Sequence, residues 1–179
     1  LVVNRKGILP SILAESSLQK SGLTFEEIIK FGGSIQYQGS KAASQIMQDR
    51  KAHIWVNATF IGSGKINAIA KVLNLRMLSV DEAVIDMMSK EFGSRPFLIP
   101  AGSYEWLDHN VKTFGAQAAL IASDEANSDK VELVAKAISL FPEEIQKVHP
   151  AMKKFNLKLA RSIDVISYHK NAKVILGGN

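Results

Sequence analysis

A chain of 179 residues, 46% of them hydrophobic, can bury one large core or two small ones, so a disordered protein is excluded. With no cysteine, its chemistry contains no disulfide, thiolate metal site or thiol nucleophile. The net charge of +5 is spread along the chain, with basic neighbours only in isolated pairs such as Arg5-Lys6 and Lys153-Lys154, so a solvated basic surface is expected and nucleic acid is not.

Leu1 to Asn4 is expected to be a strand already under way. It has neither an initiator methionine nor a leader, so further sequence upstream is expected. Arg5 to Ile8 is a turn, followed by a helix with Pro10 in its first turn, where a missing N–H costs nothing, and ending at Gly22. Thr24 and Glu27 have capping-box spacing and predict a short helix from Phe25 to Lys30, with Gly32-Gly33 breaking the chain behind it.

The stretch from Ser34 to Lys65 predicts a βαβ unit. Strand Ser34–Gln38 leads through Gly39-Ser40 to a helix over Lys41–Asp49, then strand His53–Asn57 and a polar turn, Thr59 to Gly64, that opens another helix. Ala42, Ala43, Ile46 and Met47 share one helix face, and Ile66, Ile69, Ala70 and Leu73 repeat that spacing. Leu75–Leu78 is predicted as a strand, and Ser79 with Glu82 as a second capping box, before a helix burying Val84, Met87 and Met88. From Phe97 to Tyr104 the proline-punctuated run predicts an extended connector. Val111–Gly115 and Ala116–Ala122 then read as strand, and Ser128–Phe141 as a helix with Val131, Val134, Ile138 and Phe141 on one stripe. Pro142 and Pro150 bracket another helix, residues 156–167 are expected to be mostly irregular, and a last helical stretch starts from His169. The alternation predicts an α/β fold with a largely parallel sheet flanked by helices.

Tests for catalytic motifs come back negative. Gly62-Ser63-Gly64-Lys65 imitates a phosphate-binding loop, but Thr59 stands where the first glycine belongs and Ile66 where a magnesium-holding hydroxyl belongs. The four histidines, His53, His109, His149 and His169, lack metal-ligand spacing, and Asp81, Glu82 and Asp86 suit the first turns of a helix. Neither a metal, a cofactor nor a catalytic residue is expected. There remain polar residues at the strand-to-helix edges: Lys6, Gly7 and Ser11 after the first strand, Gly39 and Ser40 after the second, Asn57 and Thr59 after the third, and Tyr104 in the connector. Each is ordinary cap or turn chemistry alone. Converging on one edge, they predict a binding site for a small anion.

The segments Gly22 to Ile28, Tyr37 to Ala43, Ile46 to Ile54, Ile99 to Tyr104 and Phe141 to Ala151 together resemble the TAXI family of solute-binding proteins of tripartite ATP-independent periplasmic (TRAP) transporters. The similarity runs in order along essentially the whole chain. It implies a hinged, periplasmic-binding-protein-like α/β receptor, periplasmic and non-enzymatic. Such a receptor closes on glutamate, a dicarboxylate or a related organic anion and delivers it to the transporter's membrane subunits.

On that pattern residues 1–98 are a ligand-binding lobe, 99–109 a hinge and crossing connector, and 110–179 the returning part of a second lobe. The Lys6–Ser11 and Asn57–Ser63 loops, including Phe60, and Tyr104 are the ligand-facing positions. The chain departs from the pattern in lacking the first half of the second lobe and in having Phe60-Ile61-Gly62-Ser63 where many relatives carry a proline-containing turn. The rival readings are an effector-sensing domain of a transcription regulator and a small α/β enzyme.

Overall fold

The computed structural model describes residues 1–164 and 166–177. Val165, in the stretch expected to be irregular, and Gly178 and Asn179, in the expected returning portion, lie outside the described residues. The chain divides into two compact units, Leu1–Gln117 and Ala118–Asn179.

The first unit is built on β1 (Val2–Val3), which is hydrogen bonded along both edges. On one side lies β2 (Gln36–Tyr37), parallel, with Gln36 N–H donating to Leu1 O and Gln38 N–H to Val3 O, both at 3.0 Å. On the other lies the 53–57 segment, joined by the parallel bridge Val2–Trp55, with Val2 N–H donating to Ile54 O (2.8 Å) and Val56 N–H to Val2 O (3.1 Å). The spatial order is therefore second, first, third, with all three running the same way.

Successive side chains of a strand point to opposite faces, and both faces of β1 are fully covered. Val2 is buried with Ala43 and Met47 of α3 (Ser40–Gln48), Ala52, and Ile69 of α4 (Gly64–Ala70), with Trp55 packed alongside. Val3 is buried with Ala14 of α1 (Leu9–Lys20) and Phe25 of α2 (Phe25–Lys30). The crossover from β1 to β2 thus runs over one face, and that from β2 to the third segment over the other. Right-handed connections in opposite lateral directions require this doubly wound arrangement.

The Thr24–Glu27 capping box forms as expected: Thr24 Oγ1 accepts from Glu27 N–H at 3.1 Å, and the Glu27 carboxylate accepts from Thr24 N–H at 2.8 Å. The second box does not. Asp81 is the cap residue of α5 (Glu82–Phe92) and makes no side-chain capping bond. Ser79 Oγ instead accepts from Lys112 N–H, and Glu82 is ion-paired to Lys112 Nζ, so both polar groups are drawn to a strand thirty residues away. On α5 the buried residues are Val84, Ile85 and Met88, whereas Met87 faces outwards.

The single, largely parallel sheet is corrected to two small sheets. β3 (Arg95–Ile99) and β4 (Val111–Gly115) pair antiparallel, from Arg95 opposite Gly115 to Ile99 opposite Val111. The expected connector therefore begins as a strand, and only its second half is a loop. Neither Leu75–Leu78 nor Ala116–Ala122 is a strand, and the latter is exposed throughout. The 100–110 loop packs Tyr104 and Leu107 with Val111 against Ile66 of α4, while Val84 and Met88 of α5 pack with Leu13 of α1 and Phe114 of β4.

In the second unit, α6 (Ser128–Leu140) carries its buried residue at Ala135, and Val134 and Phe141, expected on the inward stripe, are exposed. The segment between Pro142 and Pro150 is the helix α7 (Pro142–Val148), followed by a 3₁₀ turn at Pro150–Met152 and a short α8 (Leu157–Ala160). The last helix, α9 (Lys170–Leu176), packs along α6. His149 and His169 serve as side-chain caps, each Nδ1 accepting a backbone N–H two residues on. No described helix is long and apolar enough to cross a membrane.

Two outcomes are expected. Met88→Ala, which empties a fully buried position, should lower unfolding free energy by about 2–5 kcal/mol in urea titrations. The Glu27 carboxyl is held below its ordinary value first by the Thr24 backbone N–H and then by the Thr24 hydroxyl. A carboxylate with a lowered native pKa contributes stability above its unfolded value, about 4.3, and loses it as pH falls through the native value. Thermal melts from pH 7 to pH 3 should accordingly show a shallower acid decline for Glu27→Gln than for the parent.

Candidate ligand-binding edge

Because the three segments are parallel, the turns that follow them all leave one edge of the sheet. The loops are 4–11, 38–41 and 57–65. Between them they carry Arg5, Lys6, Lys41 and Lys65 and not one Asp, Glu, His or Cys. None of these four cations is paired with a carboxylate among the described residues. The helices that open from the first two loops also lack side-chain caps: α1 follows Ile8 and α3 follows Gly39, neither of which supplies a capping oxygen. At α3 the first N–H groups and the positive end of the dipole are left to solvent or to an anion; at α1 Pro10 has no N–H and Ser11 N–H donates to Ile8 O at 3.0 Å, so of its first three residues only Leu9 offers a donor.

The first two loops are in direct contact. Asn4 Nδ2 donates to Ser40 Oγ at 3.4 Å, across 36 residues of sequence. A Cβ on Gly39 would stand 3.3 Å from Arg5 Nε, so the glycine lets the guanidinium lie close against the start of α3. Lys6 Nζ sits 5.8 Å from the centre of the Tyr37 ring, within cation–π range. Burial, with the Glu15 charge adding to it, holds the Tyr37 phenol above its ordinary value, so the ring is neutral at physiological pH. Gly7 takes φ +80°, a conformation that turns the loop sharply and disfavours any side chain.

The third loop is tied to the connector: Tyr104, 4% exposed, accepts from Gly62 N–H at 3.1 Å through its hydroxyl and stacks on Trp106 at 5.4 Å. Its hydroxyl is thus a strut for the loop. Ser11 is buried and its hydroxyl donates to Ile8 O at 2.8 Å, which makes it part of the first turn of α1. Ser40 is occupied by Asn4, Thr59 is exposed, and Phe60 is half-buried.

Two residues of this edge were not among the expected site positions. Arg5 lies against Gly39, and Asn4 is buried at 5% exposure with its Oδ1 accepting no hydrogen bond among the described residues. Asn57 Oδ1 is likewise buried and unpartnered, though the residue itself is half-buried. The signal was present in sequence as a repeated Val-Asn pair, Val3-Asn4 and Val56-Asn57. Recognising it required the register: two residues on from the Val2–Trp55 bridge stand Asn4 and Asn57.

Two open depressions lie elsewhere. One, of about 690 Å³, includes Ser79, Glu82, Asn110 and Lys112, and the other, about 330 Å³, includes Glu132, Lys170 and Asn171. In the first, Glu82 and Lys112 neutralise each other and Asp81 adds a negative charge; in the second, Glu132 is engaged by Lys136, which leaves Lys170 as a single cation. Neither gathers several cations without a carboxylate, as the sheet edge does.

The ordering of the three segments makes the gap between β1 and the 53–57 segment the point where successive crossovers diverge to opposite faces. In open α/β sheets ligands bind in the crevice outside the carboxyl ends of strands at such a point. The arrangement is one on which open α/β sheets bind small molecules. The NMT1-like family profile matches residues 14–175, and the chain belongs to this family of periplasmic-binding-protein-like proteins, with which a substrate-binding role is consistent. No curated protein matches the chain.

Tyr104→Phe removes the acceptor for Gly62 N–H. It should cost about 0.5–1.5 kcal/mol of stability and accelerate amide exchange at Gly62, read by hydrogen–deuterium exchange, while Met88 and its neighbours keep their protection.

Proposed function

We propose that the chain is an extracytoplasmic solute receptor of the TAXI type, which binds a small organic anion such as glutamate or a dicarboxylate and presents it to the membrane subunits of a TRAP transporter. The observation that carries the proposal is the charge of the sheet edge: four cations and the uncapped start of α3, with no carboxylate on any of the three loops. An anion entering there gains Coulomb attraction and N–H donors and meets no like charge.

The three loops carry no Asp, Glu, His or Cys that could act as a general base on their hydroxyls. This favours binding without turnover. Closure of the lobes over the ligand would be the functional motion of such a receptor.

Calorimetry on the intact protein with glutamate, 2-oxoglutarate, succinate and malate is the test. Saturable binding to at least one is expected, without chemical change in the ligand and weakening as salt is raised. Lys6→Gln should reduce affinity about tenfold, equivalent to about 1.4 kcal/mol. Absence of saturable binding to every carboxylate, or turnover of any of them, overturns the proposal.

A further inference from the structure

The anion-attracting groups leave one feature of the edge unexplained. Asn4 Oδ1 and Asn57 Oδ1 are buried acceptors, and an anion supplies no hydrogen to either. Buried polar atoms in native proteins are almost always hydrogen bonded; Trp55 Nε1, Ser94 Oγ, Trp106 Nε1 and His169 Nε2 are also buried without a partner among the described residues, but only Asn4 and Asn57 bring an unpaired acceptor to the loops of this edge.

Their placement gives the two a common reason. Counted two residues on from the Val2–Trp55 bridge, Asn4 and Asn57 stand where neighbouring segments pass into their turns, and strand alternation extended to them assigns both to the face of Val2 and Trp55, which pack in one core cluster. The hydrogen bond from Asn4 Nδ2 to Ser40, the first residue of α3, agrees with this placement, because α3 covers that same face. The two free oxygens therefore flank the gap where the crossovers diverge, next to the uncapped start of α3.

We infer that Asn4 and Asn57 are specificity-determining residues that accept hydrogen bonds from the ligand, and that the ligand carries an N–H or O–H donor in addition to its negative charge. This rests on the anion-receptor reading and narrows it. A ligand with the donor pairs the two oxygens. One without it leaves them buried and unpaired, a loss that sites built to hydrogen-bond a substrate group convert into strong discrimination.

Three ligands of the same five-carbon diacid skeleton separate the possibilities: glutamate carries an ammonium donor, 2-hydroxyglutarate a hydroxyl donor, and glutarate neither. Calorimetry with the parent should show glutamate, 2-hydroxyglutarate or both binding at least about tenfold tighter than glutarate, and the tighter of the two identifies the donor. Asn4→Leu and Asn57→Leu should each shrink that ratio, and the double variant should bring it close to one.

Leucine has nearly the shape of asparagine and at position 57 removes an unpaired buried oxygen without breaking a described side-chain hydrogen bond, so the melting temperature of Asn57→Leu should hold or rise. A purely structural asparagine would show the reverse, a lowered melting temperature with the ligand preference intact. Should one variant fail to fold, the other carries the test. If glutarate binds the parent as tightly as the other two, or if the preference survives in the double variant, the inference is overturned while the receptor reading stands. If no carboxylate binds, both fall.

Discussion

The first unit depends on the double-sided pairing of a two-residue strand. Val2 donates to one neighbour and accepts from the same side, while Leu1 and Val3 accept from the other neighbour, so the backbone of β1 is committed on both edges. Its two side chains are equally committed: each is fully buried, and each nucleates a different helical layer. A central strand so short has no redundancy. The assignment of α1 and α2 to one face and α3 and α4 to the other follows from which of two adjacent valines each helix covers. The direction of all three chain segments, and hence the existence of a common edge where their loops meet, follows from the same pairings.

How far the sequence disclosed this fold can be judged from its two capping-box spacings. Thr24 and Glu27 close their box because nothing else reaches them. Ser79 and Glu82 have the same spacing but lie beside Lys112, whose backbone N–H and ammonium take the two oxygens that a cap would have used. Spacing reports a local option, and a partner remote in sequence decides whether the option is exercised. The same limit explains the antiparallel pair. Arg95-Pro96 does not look like a strand because proline offers no N–H, yet at a sheet edge that donor is not needed, and Phe97 to Ile99 pair with a strand beyond the loop. The faces of α5 show it again: Val84 and Met88 pack with Leu13 and Phe114, and Ile85 rather than Met87 joins them on the buried side, a rotation that periodicity alone leaves undetermined.

The candidate site was legible to the extent that it is made of turn chemistry. Gly7, Gly39, Ser40 and Asn57 follow strands, and a βαβ reading places them at one edge without coordinates. What could not be read was the difference between a polar group that is satisfied and one that is not. Ser11 and Asn4 are both small, polar and buried. The hydroxyl of Ser11 reaches a carbonyl 2.8 Å away within its own turn, whereas Asn4 satisfies its nitrogen on Ser40 and leaves its oxygen unpaired. Tyr104 illustrates the converse, since a phenol that looks like a ligand contact is engaged in holding Gly62.

That contrast bears on why the edge is built as it is. Uncapped helix starts, unpaired cations and buried free amide oxygens each lower stability relative to an apolar or capped alternative at the same position. A chain optimised only for folding would place Ser, Asp or Asn at the position of Gly39 and an aliphatic side chain at that of Asn4. Elsewhere in the same unit α2 has a complete box and Lys112 answers Glu82, although α5 starts without a side-chain cap and Ser94 and Trp106 each keep a buried polar atom without a partner among the described residues. What sets the carboxyl edge apart is the combination of four cations with no carboxylate among them, the uncapped start of α3 and two buried amide oxygens on adjoining loops, where a bound molecule would supply the missing partners.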